Sequence, residues 1–122
     1  GKKNASKELV RKLKQAKQPR EVSRLLEDDQ GIVDAFVVSA AVSQLRRFGK
    51  PHEALAVFER AKARGLEPDV VVYNALISAC EKFGQWEKAL VIFNELQQRG
   101  LEPTVITYSA MISACEKSGQ WE

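Results

Sequence analysis

Three trios of polar residues recur along the chain: Ser39, Ser43 and Arg47; Asn74, Ser78 and Lys82; Ser109, Ser113 and Lys117. Each trio has the spacing i, i+4, i+8, which on a helix puts all three side chains on one face. The first member carries an amide or hydroxyl that both donates and accepts hydrogen bonds, and the last is a cation. Such a row suits a polyanion whose hydrogen-bonding edges are open. Single-stranded RNA has that character, because its unstacked bases expose Watson–Crick edges that a duplex hides. A groove of stacked trios would then meet one nucleotide per unit, with Arg47, Lys82 and Lys117 on the phosphates. Other readings of the same residues stand beside this one. Ser and Asn are common near helix starts, and a cation near a helix end complements the last carbonyls whatever else it does.

The elements that must position these trios follow from a repeat. Val70 to Glu87 returns as Val105 to Glu122, identical at thirteen of eighteen positions and offset by 35 residues. The same offset relates Ala54, Leu55, Phe58, Arg64, Gly65, Leu66, Glu67 and Pro68 to Ala89, Leu90, Phe93, Arg99, Gly100, Leu101, Glu102 and Pro103, and relates Gly49 to Gly84 and Gly119. Each unit reads as two helices. Tyr73, Leu76, Ile77 and Cys80 form one apolar stripe, Gly84 ends that helix, and Trp86, Ala89, Leu90 and Phe93 form a second stripe before Gly100 and Pro103. The trios fall opposite the first stripe. A hairpin this small cannot bury both stripes, so such units stack. The expected fold is all-α, a right-handed α-solenoid of helix-turn-helix repeats spanning 35–69, 70–104 and a truncated 105–122. Residues 1–34 are a basic segment with a degenerate capping hairpin, whose stripes are Leu9, Val10 and Leu13, then Val22, Leu25 and Leu26, separated by Gln18 and Pro19. The third unit's first helix would lie uncovered at Ile112 and Cys115, so further repeats are expected after residue 122.

A tetratricopeptide repeat would run ~34 residues and open with Trp-x2-Leu-Gly-x2-Tyr, which is missing here. The block Val70-Val-Val-Tyr-Asn-Ala-Leu-Ile with Gly84, Ala89-Leu-Val-Ile-Phe93 and Gly100-Leu-Glu-Pro103 closely resembles the pentatricopeptide repeat family, over about residues 35–122. The phrase Ile-Ser-Ala-Cys-Glu-Lys-x-Gly-Gln-Trp-Glu looks most like algal and other protist arrays. The resemblance implies single-stranded RNA binding in mitochondria or plastids, in RNA processing, stability, editing or translation. It also implies which residues choose the base: Ser39 with Asp69, Asn74 with Thr104, and Ser109 with a partner beyond the chain. By that pairing Ser with Asp favours guanine, Asn with Thr a pyrimidine, and Ser109 a purine, giving a core preference of 5′-G-Y-R-3′. Phe36, Val71 and Ile106 would sandwich the bases. Asp69, directly before a helix, also suits an N-cap.

Composition narrows the function classes. The chain has 122 residues, 44% hydrophobic and 29% charged, which fits a globular domain. Residues 1–30 hold nine basic and five acidic groups, a net of +4, whereas the other 92 hold ten and eleven. A basic leader can serve as an arm for nucleic acid or simply as a solvated terminus. No apolar run approaches the ~18 to 20 residues that cross a bilayer. The chain starts without Met and without a secretory signal, so it is read as a processed protein or a piece of a longer one. Cys80 and Cys115 sit on core stripes, and His52 follows Pro51 in a first helical turn, so no metal site is expected. Trp86 and Trp121 are expected to pack at the start of second helices. With no nucleophile-base pair and no phosphate loop, the segment reads as a binder without a cofactor rather than an enzyme. The rival to RNA binding is an α-solenoid scaffold, or a structural subunit of an organellar ribosome or other large complex. The repeating polar-to-cation trio favours RNA.

Overall fold

A computed structural model describes residues 2–27 and 34–118. The expectations for Gly119 and Trp121 lie outside the described residues. Seven helices follow one another: α1 (Lys2–Gln15), α2 (Pro19–Leu25), α3 (Ala35–Arg47), α4 (Pro51–Ala63), α5 (Val70–Lys82), α6 (Trp86–Gln98) and α7 (Val105–Ser118). No strand occurs among the described residues, and none of their helices is long and apolar enough to cross a membrane. The chain divides into two compact units, Gly1–Pro68 and Asp69–Glu122.

In the first unit α3 packs on α4, and α1 and α2 pack on each other and on α3. Leu13, Val22 and Leu26 of the leading hairpin are buried, together with Val37, Val38, Ala41, Val42 and Leu45 of α3 and Ala54, Phe58 and Ala61 of α4. Leu9, Val10 and Leu25 are only half-buried. Three long-range hydrogen bonds join these elements. The Gln44 amide donates to the carbonyls of Lys14 (3.3 Å) and Ala16 (3.1 Å), satisfying acceptors that the end of α1 leaves open. The Arg60 guanidinium donates to the Leu26 carbonyl at 2.8 Å, tying α4 to the end of α2.

In the second unit α5 packs against both α6 and α7. The stripe Tyr73, Leu76, Ile77 and Cys80 is fully buried. At its end the Gly84 N–H donates to the Glu81 carbonyl (3.2 Å) and the Gln85 N–H to the Cys80 carbonyl (2.8 Å). These are the two bonds of a Schellman motif, which needs a left-handed residue, and Gly84 has φ +72°. The same pair of bonds closes α6 at Gly100 and Leu101. The second stripe differs from expectation. Ala89, Ile92 and Leu96 are its buried line, whereas Leu90 is 37% exposed, because the spacing i, i+3, i+7 from Ala89 runs through Ile92 and Leu96 and leaves Leu90 one residue round the helix. Trp86 and Phe93 are half-buried, the Phe93 ring lying 6.0 Å from that of Tyr108.

The Tyr73 hydroxyl donates to Glu95 at 2.6 Å and locks α5 to α6. Burial, then the bond to Glu95 and its negative charge, push the Tyr73 pKa well above its usual range, with Arg99 opposing. Burial likewise pushes the Cys80 thiol from 9.0 up to about 11, with Lys88 opposing. Both groups hold their protons more tightly folded than unfolded, so their contribution to stability is complete below pH 9 and falls as pH rises. Thermal melts followed by circular dichroism are expected to show the melting temperature dropping between pH 9 and 11. Cys80→Ala should make that drop shallower, and an identical slope in the variant would rule the thiol out as a contributor.

Candidate nucleic-acid interface

The first helix of each repeat starts at a side chain that accepts backbone N–H groups. Asp34 Oδ1 accepts from Phe36 (2.8 Å) and Val37 (3.4 Å). Asp69 Oδ1 accepts from Val72 (3.0 Å). Thr104, at the matching position before α7, accepts from the Thr107 N–H at 3.4 Å, while Thr107 Oγ1 accepts from the Thr104 N–H at 2.9 Å. That exchange is a capping box. Asp69 therefore does act as an N-cap.

The second unit brings Asn74 and Thr104 together. The Asn74 amide donates from Nδ2 to Thr104 Oγ1 at 3.1 Å, and the fully buried Thr107 hydroxyl donates to Asn74 Oδ1. Asn74 is itself only 9% exposed. The expectation that it lies on an open face opposite the apolar stripe is corrected: with α6 on one side and α7 on another, α5 buries residues all round, and the amide stays polar only because both of its ends are hydrogen-bonded. Thr104 beside it is exposed. Of the remaining base-selecting candidates, Ser39 is half-buried on α3 of the first unit, Asp69 is exposed at the start of α5, and Ser109 is exposed on α7.

Phe36, Val71 and Ile106, each the second residue of its helix, are 80%, 62% and 62% exposed. Apolar side chains this open at one repeated register are not held by packing. Val71 stands one helical turn before Asn74, and Ile106 directly precedes Thr107, so in the second unit two exposed apolar groups flank the hydrogen-bonded amide.

The cations differ among themselves. Arg47 is exposed and donates to Gln44 Oε1 at 3.2 Å. Lys82 is exposed, its Nζ 5.4 Å from the centre of the neighbouring Phe83 ring. Lys117 is about half-exposed, and its Nζ lies 2.6 Å from the Glu81 carboxylate on α5. Among the described residues no group of three or more His, Cys, Asp or Glu side chains is placed to hold a metal ion.

Three participants escaped the reading of the sequence: Asp34, Thr107 and Glu81. Asp34 carries a usable signal, since it lies 35 residues before Asp69. Thr107 carries a weaker one, because positions 37 and 72 at the same register are Val. Glu81 carries none, because its partner Lys117 is 36 residues away on another helix.

The described helices define an all-α helical-repeat fold of the α-solenoid class. The sequence matches the PPR repeat family over residues 68–117 and the PPR repeat over residues 36–66. These matches together take in most of the chain, which belongs to the PPR repeat family. Its fold is similar to the crystal structure of the pentatricopeptide repeat protein PPR10 in complex with an 18-nt psaJ RNA element, with a TM-score of 0.75 and 27% identity over 90% of this chain. A triple cysteine-to-serine variant of PPR10 in complex with the same RNA element gives 0.74 at 27% identity over 90%. The chain spans 17% of the length of PPR10. No curated protein sequence matches it significantly.

Thr104→Val removes both the cap and the acceptor of the buried Asn74 amide, and is expected to destabilise the fold by about 1–3 kcal/mol. Ser109→Ala, at an exposed position, should stay within about 0.5 kcal/mol. Chemical denaturation of the two variants checks the contrast; equal stabilities would mean that the Asn74 to Thr104 bond carries nothing.

Proposed function

We propose that this chain is part of a pentatricopeptide array that binds single-stranded RNA sequence-selectively, one repeat per nucleotide, in organellar RNA processing, stability or translation. The observation that carries the reading is the direct contact of Asn74 with Thr104, flanked by exposed Val71 and Ile106. A buried amide with one N–H and one lone pair still uncommitted can read a base edge. The two open apolar side chains gain a partner when a base lies between them. The similarity to PPR10, solved with RNA, supports the same reading.

Roles follow residue by residue. Asn74 with Thr104 selects a pyrimidine, Ser39 with Asp69 selects guanine, and Ser109 contributes to a purine choice, for a core of 5′-G-Y-R-3′. Phe36, Val71 and Ile106 sandwich bases. Arg47, Lys82 and Lys117 meet phosphates, with Lys117 shared between RNA and Glu81. Phosphate contacts supply much of the affinity in such complexes, and the body of the chain beyond residue 30 has a net charge of −1 by its ten basic and eleven acidic groups. Three repeats therefore bind weakly alone and act within a longer array. Mitochondrion or plastid is the proposed compartment.

Fluorescence anisotropy against randomised single-stranded RNA, with matched DNA and duplex controls over a range of salt, tests the proposal. Enrichment of G-Y-R is the expected result. The double variant Asn74→Ser with Thr104→Asp copies the Ser39 and Asp69 pairing and keeps a good N-cap, since Asp already caps α3 and α5. It should move the middle preference toward guanine, and unchanged selectivity against all four bases would sink the base assignment. A folded array with no RNA binding at low salt would point instead to a protein scaffold.

A further inference from the structure

We infer that Gln44 is a positioning residue for Arg47: its buried amide ties the guanidinium to the end of α1, so the leading hairpin contributes to phosphate binding at the first repeat without touching the RNA. The inference rests on the reading of Arg47 as a phosphate contact.

The direction of the Gln44 amide is fixed by its neighbours. Nε2 donates to the carbonyl oxygens of Lys14 (3.3 Å) and Ala16 (3.1 Å), which can only accept. Oε1 accepts from Nη1 of Arg47 at 3.2 Å, and a guanidinium can only donate. Rotated by half a turn, the amide would set its oxygen against two carbonyl oxygens and its NH2 group against the guanidinium. Gln44 is 5% exposed, so solvent offers little relief from that mismatch. The acceptor presented to Arg47 therefore stands at one point, set by the last turn of α1.

Arg47 is exposed in the last turn of α3. An unanchored arginine there would sample many rotamers and lose that freedom on meeting a phosphate. The bond to Gln44 uses one of its five N–H groups and leaves the edge made by Nε and Nη2, the fork that can meet two phosphate oxygens. Because the amide is neutral, it holds the cation and cancels none of its charge. The matching cation of α7 is handled differently, since Lys117 lies 2.6 Å from the Glu81 carboxylate. Nor does the repeat itself require the amide. The same register in α5 and α7 is Ala79 and Ala114, both buried, whereas Gln44 stands in the first helix that packs on α1.

The test is a double-mutant cycle on the full-length protein containing this chain, with a single-stranded RNA carrying G-Y-R and affinity read by fluorescence anisotropy over a range of salt. Arg47→Met is the reference. It should weaken binding and reduce the slope of log K against log salt by about 0.7, the share of one phosphate contact on a single strand. Gln44→Met keeps the length of the side chain and removes both its donor and its acceptor. It is expected to weaken binding about fivefold when Arg47 is present, the order of one side chain that must be immobilised on binding. In the Arg47→Met background it should change affinity by less than about twofold, as for a residue that acts only through its partner. The ratio of best to worst base should stay the same in every variant, since phosphate contacts carry no base information. Loss of folded protein would lower affinity alike in both backgrounds, so the cycle separates positioning from stability. Gln44→Ala, the residue of the other two registers, takes the place of Gln44→Met if circular dichroism shows the latter to be unfolded. Equal loss in the two backgrounds, or no loss from a folded Gln44 variant, overturns the inference and leaves Gln44 as a tie between α3 and α1 alone. If Arg47→Met changes neither affinity nor salt slope, the phosphate reading of Arg47 fails, and the role of Gln44 fails with it.

Discussion

A helix begins with backbone N–H groups that have no carbonyl to meet, and in this chain Asp34, Asp69 and Thr104 meet them at intervals of 35 residues. That requirement restricts each position to a short side chain with an oxygen to offer. It also holds that side chain in one place, because the acceptor must stay over the first turn. A residue so held can present its remaining atoms to a ligand with little loss of freedom on binding. Structural capping and recognition are therefore compatible uses of one atom set rather than competing explanations.

At Thr104 the cap and the proposed base reading converge. The cap is reciprocal, and through Thr107 it extends to an amide on a different helix. An amide in the buried α5 would be costly if left without partners. Here the carbonyl end and the amino end each find a hydroxyl, so the polar group is tolerated. The α5 and α7 packing that encloses Asn74 is the same packing that carries Tyr73, Leu76 and Ile77 into the core. Stability and the proposed base reading thus draw on one interface between neighbouring first helices.

The exposed features have a different logic. Phe36, Val71 and Ile106 are apolar and open at one register, which is unfavourable for the isolated chain and suits the proposed contact of each with a base. The ion pair of Lys117 with Glu81 works in the other direction. It satisfies the cation in the free protein, so a phosphate arriving there gains less than it would at an uncompensated lysine. With surface pairs worth ~1 kcal/mol or less, Glu81 would temper the proposed phosphate contact without abolishing it. In the proposed array, affinity accumulates over many repeats, and selectivity resides in buried pairs such as Asn74 with Thr104.

Much of the fold was legible before any coordinates, since a 35-residue repeat, a 3.6-residue apolar period and glycines at left-handed helix ends are local or periodic properties. Tyr73, Leu76, Ile77 and Cys80 announced the core of α5, and Gly84 its end. Leu90 was misplaced because periodicity places a stripe only to within a residue or so. The openness of Asn74 was misjudged because burial depends on how many neighbours a helix has, and α5 has two. The sequence by itself determined the repeat, the helices, the Asp69 cap and the family resemblance, all of which follow from residue types at fixed separations along one chain. Only the tertiary structure decided that Thr107 holds Asn74, that Glu81 takes Lys117 and that Tyr73 is tied to Glu95, because hydrogen bonds and ion pairs between helices depend on distances that no spacing in the sequence specifies.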